Sequence, residues 1–573
     1  MLAEHIIDTD ILVIGGATAG LYAAIKAGQK GRRVTLVDKA YAGKSGVSPF
    51  AFAHHTVFNP KVHDFNRWMN FIVRTGEYVN NRDWIATILR DSLARYQEMV
   101  SWGVPVLPPE NEVIWHKSHI PETDALGVVD HAEALVHRKW LVRMRDKALE
   151  SGVKIIDRVM ITELIKCDGK VVGAVGFNTR NGDFYLVKAK AVIMASGSGG
   201  FRDIGKVWYQ STADGDAMGY RAGAELRGKE FGHKQVAMLK DIPMPTAAQS
   251  YSQKKVFVNA EGEEYFNKYA LGTWGTMVGA LFEVHAGRGP LYFDFDRLTQ
   301  EERKAAEEFI TANQKENEVK RSGIYYATVT GKKEMMWDGA GSSEWGYGGL
   351  CINARCETNI HGLYAAGDSA GTNFCGSMYP GTGYGIAGAS VTGNIAAENA
   401  SQYVLDCGKP EISPEEISRQ IEDLYTPLSR KGGFSPAYVT ELVYNLMIPY
   451  FVLGIKQAER LQATSTLIDF VKDHLVPKLK ASDSHDLRLA HEVRNMVLNA
   501  QIVLQASLFR TESRGTHYRE DYPRRDDQNW LAWTILKEQD GKMNLRKQMI
   551  PEEWRPDPLI PYEKRYPVRF PGE

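Results

Sequence analysis

The sequence predicts an α/β fold: a Rossmann-like nucleotide-binding domain that carries an inserted α+β capping domain and is followed by a C-terminal helical bundle. Two observations predict the α/β core. Residues 11–20 (ILVIGGATAG) are typical of a strand, a tight glycine turn and the start of a helix. Residues 362–368 (GLYAAGD) are typical of a second apolar strand, about two-thirds along the chain. The third observation is that residues 411–510 lack strand patterning and carry amphipathic repeats, which predicts the helical bundle.

The N-terminal motif predicts a diphosphate site. A strand at 11–14 leads into Gly15 and Gly16, and a helix is expected over about 21–28, so backbone N–H groups and a helix N-terminus would face the phosphates. The turn departs from G-x-G-x-x-G because Ala17 replaces the middle glycine. Taken alone, it is equally consistent with a βα turn that binds no ligand. The next strand, at 34–37, ends at Asp38, where an acidic side chain would meet an adenosine ribose.

The distal motif decides between cofactors. Its apolar strand ends on Gly367 and Asp368, and a carboxylate at the end of a strand can bind a sugar or ribityl hydroxyl. Two such strands far apart in the sequence favour FAD over NAD.

Composition limits the function classes. The chain has 573 residues, enough for two or three domains, and its 69 Lys plus Arg against 70 Asp plus Glu give a net charge of -1. Nothing in this balance predicts nucleic acid or an anionic membrane as partner. The best apolar run, 446–455, is too short for a transmembrane helix and contains Pro449. No secretory signal is visible at the N-terminus.

The cysteines predict a reduced, cytoplasmic protein. They are odd in number, scattered and without a C-x-x-C motif, so they match neither a disulfide framework nor an iron–sulfur ligand set. Any iron–sulfur cluster would therefore belong to another subunit. The five are Cys167, Cys351, Cys356, Cys375 and Cys407.

Strand and helix patterning predicts the domain bounds. Strands are expected near 11–14, 34–37, 154–157, 171–177 and 190–195, with a further short strand at 255–259. Residues 1–235 and 347–410 would form the FAD-binding domain, 236–346 a capping domain over the flavin, 411–520 the helical domain and 521–573 a C-terminal tail on the surface or on a partner.

Several motifs in order carry a resemblance to a known family. They are KAKAVIMASGSGG (188–200), GDAMGYRAGAEL (215–226), VFVNAEGEEYF (256–266), GRGPLYFDF (287–295), GLYAAGD and RTESRGTHYREDYPRRDDQNW (510–530). The sequence resembles the flavoprotein family of succinate dehydrogenase, fumarate reductase, L-aspartate oxidase and the adenylylsulfate reductase α subunit. The resemblance spans nearly the whole chain.

The resemblance implies a set of FAD-binding positions. Residues 383–386 would place backbone N–H groups at the N1–C2=O edge of the flavin, where a helix N-terminus stabilises the reduced form. Members with covalent FAD carry a histidine where this chain has Gly46, so noncovalent FAD is expected. The implied cofactor-binding residues are Gly15, Gly16, Ala17, Ala19, Gly20, Asp38, Lys39, Lys44, Ser45, Gly46, Val159, Ala195, Ser196, Gly197, Asp214, Gly367, Asp368, Gly383, Tyr384, Gly385 and Ile386.

The substrate site departs from the family. The resemblance places the proton-shuttling arginine within 272–277, which contains none; it places a substrate-binding arginine at Tyr379 and a histidine at Glu344. The family's H-P-T triplet after Phe231 is replaced by residues 232–235 (GHKQ). Without these cations the site lacks the bidentate recognition that a C4 dicarboxylate requires, so succinate, fumarate and aspartate are not expected as substrates. Trp208 and Glu133 resemble the adenylylsulfate reductase branch.

Catalytic candidates are polar or aromatic residues expected around the flavin. A hydride-transfer enzyme needs a group that gives or takes a proton beside the substrate carbon, and His233 and Tyr379 are the first choices. For each residue, a packing role is the alternative. The remaining candidates are Trp208, Lys234, Glu344, His54, His55, Trp345 and Tyr347. No metal is expected at His54 and His55, because ligand spacing is missing.

The arginine-rich stretch 510–525 is interspersed with acids that nearly cancel its charge. An internal ion-pair network at a domain seam is expected there, and nucleic-acid binding is not.

The expected function is therefore hydride transfer between flavin N5 and a small organic substrate, giving C–C desaturation or C=C reduction. The resemblance implies electron exchange with a separate iron–sulfur, ferredoxin-like subunit. Two alternatives stay open: sulfur-compound redox through a flavin N5 adduct, as in adenylylsulfate reductase, and an electron-transfer flavoprotein subunit without its own substrate site. Homo-oligomerisation is also left open.

Overall fold

The computed structural model describes residues 4–50, 54–61, 63–105, 128–130, 139–202, 210–235, 238–239, 242–245, 254–265, 268, 275–304, 331–336, 343–345, 348–381, 383–567 and 569–573. The strands are β1 Glu4–Ile14, β2 Val34–Asp38, β3 His54–Thr56, β4 Val128–Asp130, β5 Lys154–Asp157, β6 Val159–Cys167, β7 Lys170–Asn178, β8 Phe184–Met194, β9 Leu226–Arg227, β10 His233–Gln235, β11 Met238–Leu239, β12 Ile242–Pro245, β13 Phe257–Val258, β14 Tyr292–Asp294, β15 Lys332–Met336, β16 Ser343–Trp345, β17 Gly349–Leu350, β18 Leu363–Ala365, β19 Ile455–Lys456, β20 Tyr518–Arg519, β21 Ala532–Gln539 and β22 Lys542–Met549. The helices are α1 Thr18–Gln29, α2 Phe65–Thr75, α3 Arg82–Ser101, α4 Lys139–Glu150, α5 Asp214–Arg221, α6 Gly275–His285, α7 Tyr384–Tyr403, α8 Pro414–Ser429, α9 Pro436–Met447, α10 Tyr450–Leu453, α11 Ala458–Phe470, α12 Ser484–Phe509, α13 Asp527–Trp530 and α14 Tyr562–Arg565.

The central sheet contains both halves of the nucleotide motif. Its strand order is β5-β2-β1-β8-β7-β6, and β18 pairs with the end of β8. Strands β5, β2, β1, β8 and β18 run parallel, whereas β7 is antiparallel to both β6 and β8. Ile14 and Ala365 both pair with Met194, so the two motif strands end at the same edge of the sheet. The predicted α/β fold class is confirmed.

Burial explains why these segments form strands. All five residues of β2 are buried, and so are the last residues of β1, as expected for a parallel strand covered on both faces. Helices α1 and α7 pack against each other beside the sheet, with α3 against α7. The strands predicted at 11–14, 34–37, 154–157, 171–177 and 190–195 are all present, and β1 and β8 are longer than predicted because they pair with each other along most of their length.

The segment between the motif halves forms its own small sheets. Strands β12-β11-β15-β14-β13 make an antiparallel sheet, and β10 pairs with β16. The short strand predicted at 255–259 is present as β13, after a 3-10 turn at Lys254–Val256.

The C-terminal helices begin at clear capping signals. Ser413 accepts a hydrogen bond from Glu416 N at the start of α8, and Asp483 accepts one from Asp486 N at the start of α12. Helices α9, α11 and α12 share a buried apolar core that includes Val443, Leu461 and Val493. None of the helices in the described ranges is long and apolar enough to cross a membrane.

The last fifty residues complete a sheet of the N-terminal region. Strands β21 and β22 form a hairpin around Asp540-Gly541, which both have positive φ as a two-residue turn requires, and β21 pairs with β9. The resulting order is β17-β9-β21-β22.

A buried ion-pair network joins the arginine-rich stretch 510–525 to Glu77 and Glu230 in the N-terminal part of the chain. Arg525 binds both oxygens of Glu77 at 2.8 Å, and Arg514 binds both oxygens of Glu512 at 2.8 and 2.9 Å. Arg510 donates to Glu230 at 2.7 Å. The expectation of an internal ion-pair network in 510–525 is confirmed.

Candidate functional site

A cavity of about 1010 Å³ opens at the C-terminal ends of the parallel strands. Both halves of the nucleotide motif contribute to its wall, as do the 44–48 loop and the N-terminus of α7. This is the edge at which doubly wound α/β sheets bind ligands. The predicted cofactor-binding residues that line it are Gly15, Gly16, Ala17, Ala19, Asp38, Lys39, Lys44, Ser45, Gly46, Val159, Ala195, Ser196, Gly197, Asp214, Gly367, Asp368, Gly383, Gly385 and Ile386.

Close backbone approach accounts for the glycines of the first turn. Gly15 has φ +107°, and a Cβ there would lie 2.3 Å from the Ala195 carbonyl oxygen. At Gly16 a Cβ would lie 2.4 Å from the Ala42 Cβ. Gly20 does not line the cavity; its Cβ would lie 1.8 Å from the Gly15 carbonyl oxygen, so this glycine lets α1 pack against the turn.

Asp38 fixes the shape of that turn. Its carboxylate accepts hydrogen bonds from Gly16 N at 2.9 Å, Ala40 N at 2.7 Å and Ser45 Oγ at 2.8 Å. The side chain therefore ties the glycine turn to the 44–48 loop while still facing the cavity.

Lys39 links the nucleotide-binding sheet to the C-terminal helices. Its Nζ donates to Thr212 Oγ1 at 2.7 Å, Asp214 Oδ2 at 2.8 Å and Glu492 Oε1 at 3.0 Å. Burial opposes the charge, but the two carboxylates outweigh it and raise the pKa of Lys39. Burial likewise opposes ionisation of Asp214, but Lys39 lowers the pKa of that carboxyl. The ammonium thus holds α5 and α12 against the cavity wall.

Asp368 is the partly buried acid that faces the cavity without a hydrogen bond. No side chain or backbone N–H in the described ranges donates to its carboxyl oxygens, and burial raises its pKa to about 6. Such a carboxyl group is ready to accept a hydrogen bond from a ligand hydroxyl.

The N-terminus of α7 also faces the cavity. Gly383 takes a left-handed conformation (φ 80°) and is followed by Gly385, whose N–H donates to the Tyr379 hydroxyl at 2.8 Å. Tyr379, Gly383, Gly385 and Ile386 line the cavity, whereas Tyr384 is buried behind it.

Four catalytic candidates meet on one two-stranded element. In the β10–β16 pair, His233 lies opposite Trp345 and Lys234 opposite Glu344. The structure describes the backbone of these residues and not their side chains. Trp208, Tyr347, Glu133, residues 272–274 and the side chain of His54 lie outside the described residues.

His55 has a packing role. It is fully buried, with Nδ1 bonded to the Thr56 carbonyl oxygen at 2.8 Å and Nε2 to Ser390 Oγ at 3.1 Å. Burial lowers its pKa to about 4, so the ring is neutral near pH 7. Within the ranges that are described, no three His, Cys, Asp or Glu residues form a group suited to a metal ion.

One end of the cavity was not foreseen. It is formed by the start of α12, at Asp483 and Glu492, about a hundred residues beyond the distal motif. No local sequence signal marks it, because these residues reach the cavity only through tertiary packing. Five basic residues are among those that line the cavity: Arg158, Arg180, Arg202, His485 and Arg488.

Comparison with known proteins agrees with this geometry. Residues 10–386 match the family "FAD binding domain", and residues 453–566 match "Fumarate reductase flavoprotein C-term". The chain is 27% identical over 545 residues to an uncharacterized FAD-dependent oxidoreductase of Methanocaldococcus jannaschii, covering 92% of this chain and 96% of that protein. It is 25% identical over 553 residues to one of the subunits of the fumarate reductase (CoM/CoB) of Methanothermobacter marburgensis, covering 91% and 96%.

Solved structures share the fold over nearly the whole chain. A quinol fumarate reductase variant of E. coli has a TM-score of 0.80 at 20% identity, covering 95% of this chain and 97% of that chain. Adenylylsulfate reductase from Archaeoglobus fulgidus has a TM-score of 0.78 at 20% identity, covering 96% and 97%. At such identities the likeness establishes the fold alone.

Proposed function

Because the chain belongs to the FAD-binding flavoprotein family that includes the fumarate reductase and succinate dehydrogenase subunits, we propose that it transfers a hydride between flavin N5 and a small organic substrate. The reaction is desaturation of a C–C bond or reduction of an activated C=C bond. Electrons are exchanged with a separate iron–sulfur protein. That the chain is an FAD-dependent oxidoreductase follows from the family itself.

The residues that line the cavity fit FAD. Gly15 and Gly16 offer a turn without side chains for the diphosphate, and Asp368 offers an unpartnered carboxyl for a ribityl hydroxyl. A Cβ at Gly197 would meet nothing within 4 Å, so this glycine faces open space. When bound, FAD supplies the ring that exchanges a hydride with substrate.

One observation carries the proposal: Ile14 and Ala365 both pair with Met194, so a single cavity receives the glycine turn, Asp368 and the N-terminus of α7. This arrangement would bind a long dinucleotide, with Tyr379 and Gly385 among the residues of the same cavity wall. Tyr379 supplies a hydroxyl within the cavity.

Proton transfer is proposed for Tyr379 and for His233, with Lys234, Glu344 and Trp208 as further candidates. The register that sets Lys234 opposite Glu344 supports a shared role for β10 and β16. A base or acid on this element would hold the proton that balances hydride transfer. Tyr379 and Glu344, in place of family cations, support a substrate other than a C4 dicarboxylate.

An external electron partner is supported by the cysteine pattern. All five cysteines are free, and Cys356 and Cys375 are buried. The spacing of the five cysteines in the sequence matches no cluster-binding motif, so a second redox centre would come from another protein. The cytoplasmic location expected from these cysteines stays a prediction.

We also propose the domain bounds expected from the sequence: 1–235 and 347–410, 236–346, 411–520 and 521–573. The separate five-stranded sheet, whose order is β12-β11-β15-β14-β13, supports an inserted unit in 236–346. The pairing of β21 with β9 supports close association of the tail with the first unit.

The test is purification with native partners followed by anaerobic screening. We expect organic acids to reduce the flavin, seen as loss of the absorption of oxidised flavin, or unsaturated acids to reoxidise the reduced flavin. Rapid bleaching by sulfite with no response to organic acids would instead support sulfur-compound redox. No response to any small molecule, with fast exchange to an iron–sulfur partner, would support an electron-transfer role. Acid precipitation should release all FAD into the supernatant, because position 46 is glycine.

A further inference from the structure

One carboxylate at the α12 end of the cavity holds three cations. The side chain of Glu492 is 2% exposed and accepts hydrogen bonds from Lys39 Nζ at 3.0 Å, Arg202 Nη1 at 3.0 Å and Arg488 Nη1 at 2.7 and 2.8 Å. All four residues line the cavity. Asp214 is the second acid of the group and binds Lys39 at 2.8 Å. Three cations therefore share two carboxylates.

The two arginines of this group keep donors for a ligand. Each reaches Glu492 through Nη1 alone, and no acceptor in the described part of the chain binds their Nε or Nη2 atoms. Both side chains retain accessible surface, 26% for Arg202 and 18% for Arg488. Burial lowers the pKa of Arg202, Glu492 opposes this shift, and Arg488 adds to it. One carboxylate thus compensates two guanidinium groups only in part.

Two more arginines extend this side of the cavity. Thr179 N donates to the Arg158 carbonyl oxygen at 2.7 Å, and Ser484 Oγ donates to the Arg180 carbonyl oxygen at 2.7 Å. These bonds hold the turn between β7 and β8 against both the start of β6 and the start of α12. Arg158 and Arg180 line the cavity, and neither has an ion pair within the ranges given above.

We call this set of residues the basic wall. It has more cations than acids, and its outer residues Arg158, Arg180 and His485 are exposed, so the cavity opens to solvent there. Its permanent cations are Lys39, Arg158, Arg180, Arg202 and Arg488, and its acids are Asp214, Asp483 and Glu492.

FAD brings no anion to the basic wall. The negative charge of FAD lies on its diphosphate, which the proposal above places at the turn of Gly15 and Gly16. From that turn the adenosine extends toward Asp38, which directly precedes Lys39 at the end of β2. Adenosine is uncharged. The inference rests on this placement of FAD, in which the cations of the basic wall have no counterpart in the cofactor.

The free donors suit a phosphate group. A phosphate group carries roughly 1.5 to 2 negative charges at pH 7 and three strong acceptor oxygens. The Nε and Nη2 atoms of an arginine lie on one edge of the guanidinium plane, and this edge binds two such oxygens through parallel N–H···O bonds. Arg202 and Arg488 together offer two of these edges. A dianion also matches the excess of cations in the basic wall better than a carboxylate does.

We propose that the basic wall is a second anion site, separate from the diphosphate site of FAD, for the phosphate group of a small molecule. Arg202 and Arg488 bind the phosphate oxygens, and Glu492 is the positioning residue that holds both guanidinium groups. Arg158 and Arg180 add positive charge at the mouth of the cavity. Inorganic phosphate and a phosphate ester share this chemistry.

Calorimetric titration of the holoenzyme in a phosphate-free buffer tests the site. The probes are inorganic phosphate and ribose 5-phosphate, against sodium chloride at matched ionic strength. We expect saturable binding of one phosphate per chain, with no flavin released into the filtrate. Tighter binding of ribose 5-phosphate would identify a phosphate ester as the ligand, and equal or weaker binding would identify free phosphate.

Two variants remove one guanidinium each from different parts of the chain. In both Arg202→Gln and Arg488→Gln, Glu492 keeps two cations, so no buried charge is left alone. The half-saturating phosphate concentration should rise by roughly tenfold or more, because each guanidinium supplies charge-assisted hydrogen bonds. Arg419→Gln is the matched control, because Arg419 is 60% exposed on α8 and lies outside the cavity. Flavin absorbance per protein shows that each variant retains FAD.

Three results would overturn the proposal. The first is no saturable binding of either probe to the holoenzyme. The second is an unchanged half-saturating concentration in Arg202→Gln or in Arg488→Gln. The third is release of FAD by phosphate, which would mean that these cations serve the diphosphate of FAD itself. None of these readouts depends on reduction of the flavin, so their failure is distinguishable from failure of the hydride-transfer proposal.

Discussion

The hydroxyl of Tyr379 accepts a hydrogen bond of 2.8 Å from the N–H of Gly385. Both residues line the cavity, and Gly385 lies in the first turn of α7, where N–H groups have no partner within the helix. The Tyr379 hydroxyl therefore takes up one of the free N–H groups at the positive end of the helix, where a ligand could otherwise bind it. The same hydroxyl is the candidate proton donor.

Tyr379→Phe should separate binding from chemistry. Loss of the hydroxyl removes the proposed proton donor and frees the Gly385 N–H, so turnover should fall by roughly 10²-fold while FAD content is unchanged. The freed donor should raise the flavin reduction potential, measured by spectroelectrochemistry. Tyr384→Phe is the matched control, since its hydroxyl is buried, has no hydrogen-bond partner among the described residues and lies outside the cavity. Equal turnover in the two variants would contradict the assignment.

Asp368 should make the stability of the apoprotein depend on pH. Its pKa is 3.8 ordinarily and about 6 in the folded chain, because burial disfavours the charge. The folded state then holds a proton between about pH 4 and pH 6 that the unfolded state has lost, so the free energy of unfolding falls as pH rises through this window. Asp368→Asn should therefore gain stability relative to the wild type between pH 4.5 and pH 7.

Thermal melts of both apoproteins at the two pH values measure this difference. FAD should reduce it, since a hydroxyl that donates to the carboxylate favours the ionised form. The exposed Asp8→Asn variant controls for the loss of one charge. A constant difference between Asp368→Asn and the wild type at both pH values would refute the prediction.

Gly15→Ala should destroy the diphosphate turn. Gly15 has a φ of +107°, and the new Cβ would lie 2.3 Å from the Ala195 carbonyl oxygen. The variant should therefore lose roughly 3 kcal/mol of unfolding free energy and bind little FAD. Gly31→Ala is the control, because φ is +72° but a Cβ there would meet nothing within 4 Å. This variant should cost about 1 kcal/mol from backbone strain and keep its FAD. Flavin absorbance per protein and urea unfolding measure both effects.

Arg525→Met should weaken the seam between the C-terminal tail and the rest of the chain. Arg525 and Glu77 are 1% and 4% exposed, so removal of the cation leaves a buried carboxylate and should cost about 3–5 kcal/mol. Arg419→Met breaks a pair with Glu416 in which the arginine is 60% exposed, and should cost about 0.5 kcal/mol or less. Similar urea midpoints for the two variants would show that the network contributes little.

Local patterns predicted the strands of the central sheet well. β2 and β5 were predicted within one residue of their ends, because a short apolar run next to polar residues marks a strand, whether it is fully buried as in β2 or half-buried as in β5. β1 and β8 were predicted too short. Their outer halves are stabilised by pairing with each other, which no local pattern records.

The site was predicted in part. The glycine turn and Asp368 could be foreseen because strand ends and glycines are visible in the sequence. The bonds of Lys39 to Asp214 and Glu492 could not, since they join residues far apart in the chain.

The sequence by itself determined the α/β class, the split dinucleotide motif and the charge balance of the arginine-rich stretch, because each depends on the order of neighbouring residues. Tertiary structure alone decided that Met194 joins Ile14 to Ala365, that α12 closes one end of the cavity and that Tyr379 binds Gly385. The physical reason is that hydrogen bonds and burial depend on distance in space, and chain folding sets that distance independently of separation in sequence.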